Sequence, residues 1–590
     1  MCGIYGYVGK KDKAADIVLE GLKLLEYRGY DSWGIAVKQN KKLVLEKHVG
    51  KIGDAKVNLP QSSLSIGHTR WATHGGVTEK NAHPHLDCTK TIAVVHNGIV
   101  ENFQQLKAEL IEKGHKFISE TDTEVVPHLI EENLKHEGFS SSVRDAFNLL
   151  KGLNAVVVAN AVSKEIIAAK TGSPLIVGIG DRELFVASDA SAIVKHTKKV
   201  IFLKDNEMVI LGNPPAGGLQ LLSLPEGKQL EVKPEKITWS FEVSTKGEFA
   251  DFMLKEIHEQ PNVIRNIAEN YSSQVEKLAK DIQKAKGTFF IGAGTASYAA
   301  LAGTYIFSKI AKKHVNTSVA SEFNYLEDFL TKDSLIIALS QSGETIDVVE
   351  PLNRAKEKGC KIFAITNTLG STIYRMADYN MLLNAGPEMA VASTKAYIAK
   401  VSVILMLAYS IIGQTKEIKN ILLKTADEIQ RLISEKTVLE VKKIAKILSK
   451  TKNIYAIGRG VSYPSALEAA LKIKEVSYVP TEGLAGGELK HGTIALISKG
   501  IPCIVFAPQD ETYGSIISNA IEIKSRGGMI IGIGPKKEEV FDHFIEVEDV
   551  DCGSYLAQVV VVQLLAYYMA VELKLDPDMP RNLAKSVTVK

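Results

Sequence analysis

Apolar positions fall into two rhythms along this chain. Over roughly the first 240 residues they come as short runs bounded by turn residues, which predicts strands: Ser65–Trp71, Ile92–His96, Ala155–Asn160 and Phe185–Ala187. Two stretches break that rhythm. Val18, Leu19, Leu22 and Leu25 share one face of a helix predicted over Ala14–Tyr27, and a second helix is predicted around Val125–Lys135. Strands mixed with a few helices predict stacked sheet and helix layers. Gly and Pro then concentrate between Gly212 and Gly227 (GNPPAGG, LPEG), which marks the end of a first domain and the start of a linker. Lys255–Pro261 (KEIHEQP) opens a helical region.

Beyond that point short apolar strands alternate with long helices, the pattern of an open parallel α/β sheet. This half is internally repeated. FFIGAGTAS (Phe289–Ser297) returns as YAIGRGVS (Tyr455–Ser462), SQSGET (Ser340–Thr345) as APQDET (Ala507–Thr512), and KGCKIFAI (Lys358–Ile365) as RGGMIIGI (Arg526–Ile533). The near-constant offset of 166–168 residues predicts two copies of one fold, over roughly 275–410 and 440–570. The most apolar late stretch, Tyr555–Leu573, contains Gln558, Gln563 and Glu572. A buried helix is expected there and not a membrane span, which needs roughly 20 nearly uninterrupted apolar residues.

Composition changes this picture little. At roughly 100–200 residues per domain, 590 residues fit about three to five domains, and a hydrophobic share of 45% supplies several cores. The net charge of +3 is small, and no long run of Lys and Arg announces a nucleic-acid partner. The five cysteines, Cys2, Cys88, Cys360, Cys503 and Cys552, are odd in number and widely spaced. No pair has metal-ligand spacing, so neither a disulfide framework nor a zinc site is expected, and a reducing cytoplasm fits best. The opening MCGIYGYVGKKDK lacks the basic start and apolar run of a signal peptide.

Cys2 directly after Met is the first candidate for chemistry. Removal of Met would leave Cys2 with a thiol and a free α-amine, whose pKa near 8 lets it serve as general base for its own thiol. Cys2-Gly3-Ile4 is followed by Tyr27–Gly34 (YRGYDSWG), Gly67–Gly75 (GHTRWATHG), Asn81–His85 (NAHPH), His96–Gly98 (HNG) and Ser119–Glu124 (SETDTE). Together these resemble the class II glutamine amidotransferases. The resemblance implies that Arg70 meets the carboxylate of glutamine and Asp122 its ammonium. It also implies that Asn97 and Gly98 donate to the tetrahedral oxyanion, and that Trp71, Thr73 and His74 complete the glutamine site. Taken singly these residues have plain alternatives: an ion pair for Arg70, a hairpin turn for Asn97-Gly98 and a helix cap for Asp122. His74, His83 and His85 lack a metal-binding pattern and are expected to make structural hydrogen bonds.

In the second half, Ser340-Gln341-Ser342-Gly343-Glu344-Thr345 follows an apolar strand and opens a helix. Hydroxyls and backbone N–H groups converging on a helix N-terminus suit a phosphate. In the second copy Gln509 is followed by Asp510 and Glu511, and Asp510 would repel a phosphate. One phosphate site is therefore expected, in the first copy only. Glu468, Lys472 and Glu475 fall at i, i+4 and i+7, on one helix face, with Leu467, Ala470 and Leu471 mostly toward a core. From spacing alone a surface Glu–Lys pair is the plainer reading. No complete GxGxxG is present, since Gly292 and Gly294 are followed by Thr, Ala and Ser, so no nicotinamide cofactor is expected.

The Ser340–Thr345 pattern resembles the sugar isomerase (SIS) domain, and two such domains after a class II glutaminase resemble the glucosamine-6-phosphate synthase family. Further matching motifs are Glu388, Val391–Lys395 (VASTK), Glu468–Glu475 (EAALKIKE), Gly487–Gly492 (GELKHG) and Arg581–Val589 (RNLAKSVTV). The turn Gly294-Thr295-Ala296-Ser297 departs from the family's usual Gly-Thr-Ser. The resemblance implies a sugar-phosphate site of Thr295, Ser297, Ser340, Gln341, Ser342, Thr345, Glu388, Val391, Ser393 and Ala584. It implies that Glu475 shuttles a proton between C1 and C2, Lys472 orients the open chain, Glu468 assists and His491 opens the ring. Lys585 would form a Schiff base with the ketone.

The expected fold is α/β multidomain: an αββα-layered N-terminal-nucleophile glutaminase over 1–215, a linker over 216–250, doubly wound parallel SIS domains over 275–410 and 440–570, and a tail over 571–590 that contributes to the sugar site. The implied reaction turns L-glutamine and D-fructose 6-phosphate into glutamate and D-glucosamine 6-phosphate. Ammonia would pass between two active sites. No cofactor, metal, nucleic acid or membrane is implied, and a cytoplasmic homodimer is. A class II amidotransferase acting on phosphoribosyl pyrophosphate would need a different second half. A sugar-phosphate sensor would have no use for Cys2.

Overall fold

The computed structural model describes residues 2–212, 218–237 and 245–587. The chain divides into two compact units, Met1–Ser244 with Ala584–Lys590, and Thr245–Leu583.

The first unit has four layers. Among the described residues one sheet runs in the order Glu235–Lys236, Lys199–Phe202, Ile176–Ile179, Glu183–Ala187, Gly3–Gly9, Leu64–Arg70, Ser32–Gln39, Lys42–Val49. The other runs Gln229–Leu230, Leu219–Ser223, Glu207–Leu211, Glu165–Lys170, Asn154–Asn160, Ile92–Gly98, His85–Leu86. Pairing within both is antiparallel. Ile4, Val8 and Ile66 of the first sheet interdigitate with Val95, Val157 and Ala168 of the second. The outer face of the first sheet carries the helix Ala14–Leu25, and the second carries Phe103–Glu112, Val125–Asn133 and Phe139–Asn148. Strands buried on both faces explain their near-continuous apolar runs.

The first domain does not stop where the Gly/Pro-rich stretch begins. Leu219–Ser223 pairs antiparallel with Glu207–Leu211, and Glu235–Lys236 pairs with Lys199–Phe202. Residues expected as linker thus extend both sheets, and Leu224–Gly227 form the turn between the paired strands Leu219–Ser223 and Gln229–Leu230. Residues 213–217 and 238–244 lie outside the described residues.

The second unit contains two five-stranded parallel sheets among its described residues. The first runs Asn316–Val319, Gly287–Gly292, Ser334–Ser340, Lys361–Thr366, Tyr379–Leu382; the second runs Thr481–Ala485, Ile454–Gly458, Pro502–Phe506, Met529–Gly534, His543–Glu546. In each the second strand in sequence lies outside the first, so the order is 2-1-3-4-5. The chain reverses direction across the sheet between strands one and three, and the crevice at their carboxyl ends is where such sheets bind ligands. That places the Gly294-Thr295 turn and the Ser340–Thr345 loop at one switch point. The helix Ser554–Glu572 is long and apolar enough to cross a membrane, yet 89% of its most apolar window is buried inside the structure. Gln563 accepts from Gln260, and Gln558 donates to the carbonyl of Ile533, so both glutamines find hydrogen-bond partners inside a core.

Candidate active sites

In the first unit a pocket is lined by Cys2, Arg70, Trp71, Thr73, His74, Asn97, Gly98 and Asp122, together with His83, His96, Thr121 and Thr123. The fold thus gathers every residue expected of a glutamine site. Cys2 stands at the head of a central strand. Its Sγ accepts from the Trp71 N–H at 3.2 Å, and its carbonyl accepts from Asn97 Nδ2 at 2.9 Å and Arg28 Nε at 3.4 Å. Asn97 is oriented in turn by His68, whose Nε2 lies 3.1 Å from Asn97 Oδ1. Burial lowers the His68 pKa to about 3, so the ring is neutral. The Asn97 amide N–H2 is therefore aimed at the Cys2 backbone, a short step from where an oxyanion would form on the Cys2 side chain.

Gly98 has φ 133°, and a Cβ there would meet the Leu153 carbonyl at 2.2 Å. Only glycine fits this approach. Arg70 is buried and donates to the carbonyls of His74, Gly75 and Gly76, so much of its fork holds the pocket's own loop. Asp122 accepts from the Val100 N–H at 2.8 Å. His83 and His85 are buried and kept neutral, chiefly by burial, and hydrogen-bond to His96 N and Thr121 Oγ1, as expected of structural histidines.

In the second unit the strand Ser334–Ser340 ends in a loop folded on its own hydroxyls. Ser340 Oγ accepts from the Gly343 N–H at 3.0 Å, and Ser342 Oγ from the Glu344 N–H at 3.2 Å. The carboxylate of Glu344 is drawn away, accepting from Thr372 N and Oγ1. Glu388 accepts from Ser393 Oγ, Thr394 N and Ala396 N, and so caps the helix Lys395–Ile411. Val391 N–H donates to the Asp578 carbonyl, and Ser297 Oγ to the carbonyl of Gly294.

The helix Ser462–Ser477 carries the acid–base candidates, and here the spacing-based reading is reversed. Glu468 and Lys472 are 0% and 1% exposed, whereas Leu467 and Leu471 are only partly buried. Lys472 Nζ lies 3.7 Å from Glu468 Oε1 and pairs closely with Glu475. Thr295 Oγ1 donates to Glu468 Oε1 at 3.4 Å, joining the switch point of the first copy to this helix. Burial pushes the Glu468 carboxyl up to about 7 against the pull of Lys472. Burial pulls the Lys472 ammonium down, but Glu468 and Glu475 outweigh it and hold it above its ordinary value. His491 is exposed at the end of the short helical turn Glu488–His491. Ala584 and Lys585 are grouped with the first unit.

Comparison with known proteins now decides the family. Residues 68–195 match the glutamine amidotransferase domain, and residues 281–410 and 447–573 match the SIS domain. The chain is 41% identical to a glutamine–fructose-6-phosphate aminotransferase (isomerizing) of Thermococcus kodakarensis and 43% identical to one of Pyrococcus horikoshii, with 100% of both partners covered in each case. This chain belongs to the glutamine–fructose-6-phosphate aminotransferase family. Among solved structures, the C-terminal domain of glucosamine-fructose-6-phosphate aminotransferase from Francisella tularensis is 31% identical, with TM-score 0.52 over 57% of this chain and 100% of that one.

For an aminotransferase of this family the sequence motifs carried more than the residues singled out from them. Arg28 of YRGYDSWG pins the Cys2 carbonyl and pairs with Asp189 at 3.2 Å. Asp31 accepts from the Ala72 N–H, and His96 bridges Thr123 and Asn154. These residues stand inside quoted motifs, so the signal was present. Their roles are positional and become visible only when distant strands are side by side.

Proposed function

We propose that this protein converts D-fructose 6-phosphate to D-glucosamine 6-phosphate with nitrogen from L-glutamine, releasing glutamate (EC 2.6.1.16) and opening the hexosamine pathway. One observation carries the reading. A single chain, similar end to end to aminotransferases of that name, holds a Cys2-centred pocket in one unit and a buried Glu468–Lys472–Glu475 face at a sheet switch point in the other.

At the first site Met1 is removed and the Cys2 thiol attacks the side-chain amide of glutamine. The Cys2 α-amine accepts the thiol proton and returns it to the departing ammonia. Asn97 Nδ2 and the Gly98 N–H stabilise the oxyanion; losing one such donor typically costs about 2.7–4 kcal/mol. Arg70 and Asp122 hold the carboxylate and ammonium, and Trp71, Thr73 and His74 shape the pocket. Water then releases glutamate from the thioester.

At the second site Ser340, Gln341, Ser342 and Thr345, with Thr295 and Ser297, hold the phosphate. Glu388, Val391, Ser393 and Ala584 shape the sugar pocket. His491 opens the ring, and Lys585 condenses with the C2 ketone and loses water. Ammonia displaces Lys585, and Glu475 carries a proton from C1 to C2 while Lys472 and Glu468 hold the open chain. Ammonia is handed from one active site to the other without meeting bulk water, where it would protonate. The enzyme acts in the cytoplasm as a homodimer associating through its SIS half, with no cofactor.

The test is to supply glutamine and fructose 6-phosphate and to quantify glutamate and glucosamine 6-phosphate together. Equal yields, both lost in Cys2→Ala, are expected. Glutamate without amino sugar would overturn the acceptor. Neither product, with Met1 shown by mass to be absent, would overturn the enzyme and favour a sensor of sugar phosphates.

A further inference from the structure

A cluster outside both active sites brings together Cys88, His115, His128 and Glu131, one donor atom from each lying within 4.8 Å of all the others. They come from three segments of the first unit. Cys88 stands in the turn between the strands His85–Leu86 and Ile92–Gly98, and His115 follows the helix Phe103–Glu112. His128 and Glu131 are one turn apart on the helix Val125–Asn133. Cys88 Sγ is 3.9 Å from His115 Nδ1 and 3.6 Å from His128 Nδ1. Glu131 Oε2 is 3.0 Å from His115 Nδ1 and 3.2 Å from His128 Nδ1. Tetrahedral zinc, with bonds of about 2.0–2.3 Å to N, O and S, sets neighbouring donors about 3.3–3.6 Å apart. Four of the six donor pairs already lie at 3.0–3.9 Å, and the other two within 4.8 Å.

The partners around the rings argue in the same direction. His115 faces carboxylate oxygens at both ring nitrogens, Glu131 at 3.0 Å and Glu132 at 3.1 Å. His128 faces Glu131 at 3.2 Å, and its buried Nε2 lies 4.0 Å from Glu124 Oε1 with no hydrogen bond. Both Nδ1 atoms, Cys88 Sγ and Glu131 Oε2 thus converge on one point, while the Nε2 side of each ring faces a further carboxylate, Glu132 or Glu124. A cation at that point would be met by all four donor atoms. Both Nδ1 lone pairs then bind metal, and both Nε2–H groups point at carboxylates, the usual outer arrangement of metal-bound histidine.

We propose that Cys88, His115, His128 and Glu131 form a structural zinc site. Four protein ligands close the coordination, so the metal braces and does not react. Binding converts the Cys88 thiol to thiolate and releases its proton. The brace ties the helix Val125–Asn133 to the turn at Cys88. That helix directly follows Asp122 and Thr123, which line the glutamine pocket.

The full-length protein is loaded with zinc, dialysed into zinc-free buffer and assayed for metal. One zinc per chain is expected, with none in Cys88→Ser or His115→Gln. Cobalt(II) should give a thiolate charge-transfer band that Cys88→Ser lacks, and zinc should raise the Tm of the first unit in the unaltered protein alone. Should the variants fail to fold, alkylation of Cys88 in the unaltered protein remains decisive. Zinc should slow it by about tenfold or more, because the bound thiolate is no longer free to react. Loss of zinc on dialysis, equal zinc in Cys88→Ser, or unprotected Cys88 would overturn the site.

Discussion

Glu468 shows how far burial changes what one residue can do. Its carboxyl is fully enclosed, and Oε2 has no hydrogen-bond partner. Burial moves its pKa from 4.5 to about 7, so near neutrality it can either give or take a proton. The same shift has a stability consequence. Between about 4.5 and 7 the folded protein holds a proton that the unfolded chain has lost, so stability falls as pH rises through that window and is flat above it. At about 1.4 kcal/mol per pKa unit, the loss is on the order of a few kcal/mol. Glu468→Gln keeps a group that can accept from Thr295 and cannot ionise. The thermal transition of the second unit should therefore rise in the variant relative to the unaltered protein as pH goes from 5 to 7. A difference independent of pH would mean that Glu468 ionises normally.

At the scale of elements, the Ser340–Thr345 loop depends on a backbone position as much as on its hydroxyls. Gly343 has φ 67°, and a Cβ there would lie 2.0 Å from Ser371 Oγ. Gly343→Ala forces the loop to move, at about 1–3 kcal/mol for the strain. That should weaken fructose 6-phosphate binding by about 10–100-fold while glutamate release from glutamine is unchanged. Equal loss of both would show that the change unfolds the protein. The same scale explains what was legible in the sequence. Strand runs such as Ile92–His96 and the 166–168-residue repeat are local or periodic signals, and the layers and sheets follow from them. Spacing alone turns Leu467, Ala470 and Leu471 of the helix Ser462–Ser477 mostly toward a core. Yet the helix buries Glu468 and Lys472 more fully than Leu467 and Leu471, because neighbouring groups, Thr295 among them, answer the charges. The Gly/Pro stretch after Gly212 reads as a linker because turn residues mark chain reversal without saying whether the chain returns to the sheet. Cys88, His115, His128 and Glu131 escape a spacing rule because three separate segments supply them.

For the molecule as a whole, the repeat raises the question of how many sugar phosphates one chain holds. Both copies present the same switch point, and both carry a loop between the third strand and the next helix. The first loop offers Ser340 and Ser342 and turns its acid, Glu344, toward Thr372. The second turns its acid inward. Asp510 accepts from Thr512 N at 2.8 Å, Thr512 Oγ1 at 2.6 Å and Tyr555 Oη at 2.9 Å. Asp510 thus takes the donors that a phosphate would use, and it lines a pocket that also holds Asp549 and Asp551. Lys309 lies 3.9 Å from Asp510 and pairs with Glu511 at 2.6 Å, so its charge is already answered. A dianion placed there would meet fixed negative charge, and at about 4 Å two unit charges repel by about 4 kcal/mol near a protein surface. The two crevices thus differ in charge: the second is lined by Asp510, Asp549 and Asp551 beside Lys309 and Lys424, and we propose that only the first takes a phosphate. Calorimetric titration of Cys2→Ala with fructose 6-phosphate should give one site per chain, weakened in Ser340→Ala and unaltered in Thr512→Val. A stoichiometry of two, or loss of binding in Thr512→Val alone, would show that the second crevice is the one in use.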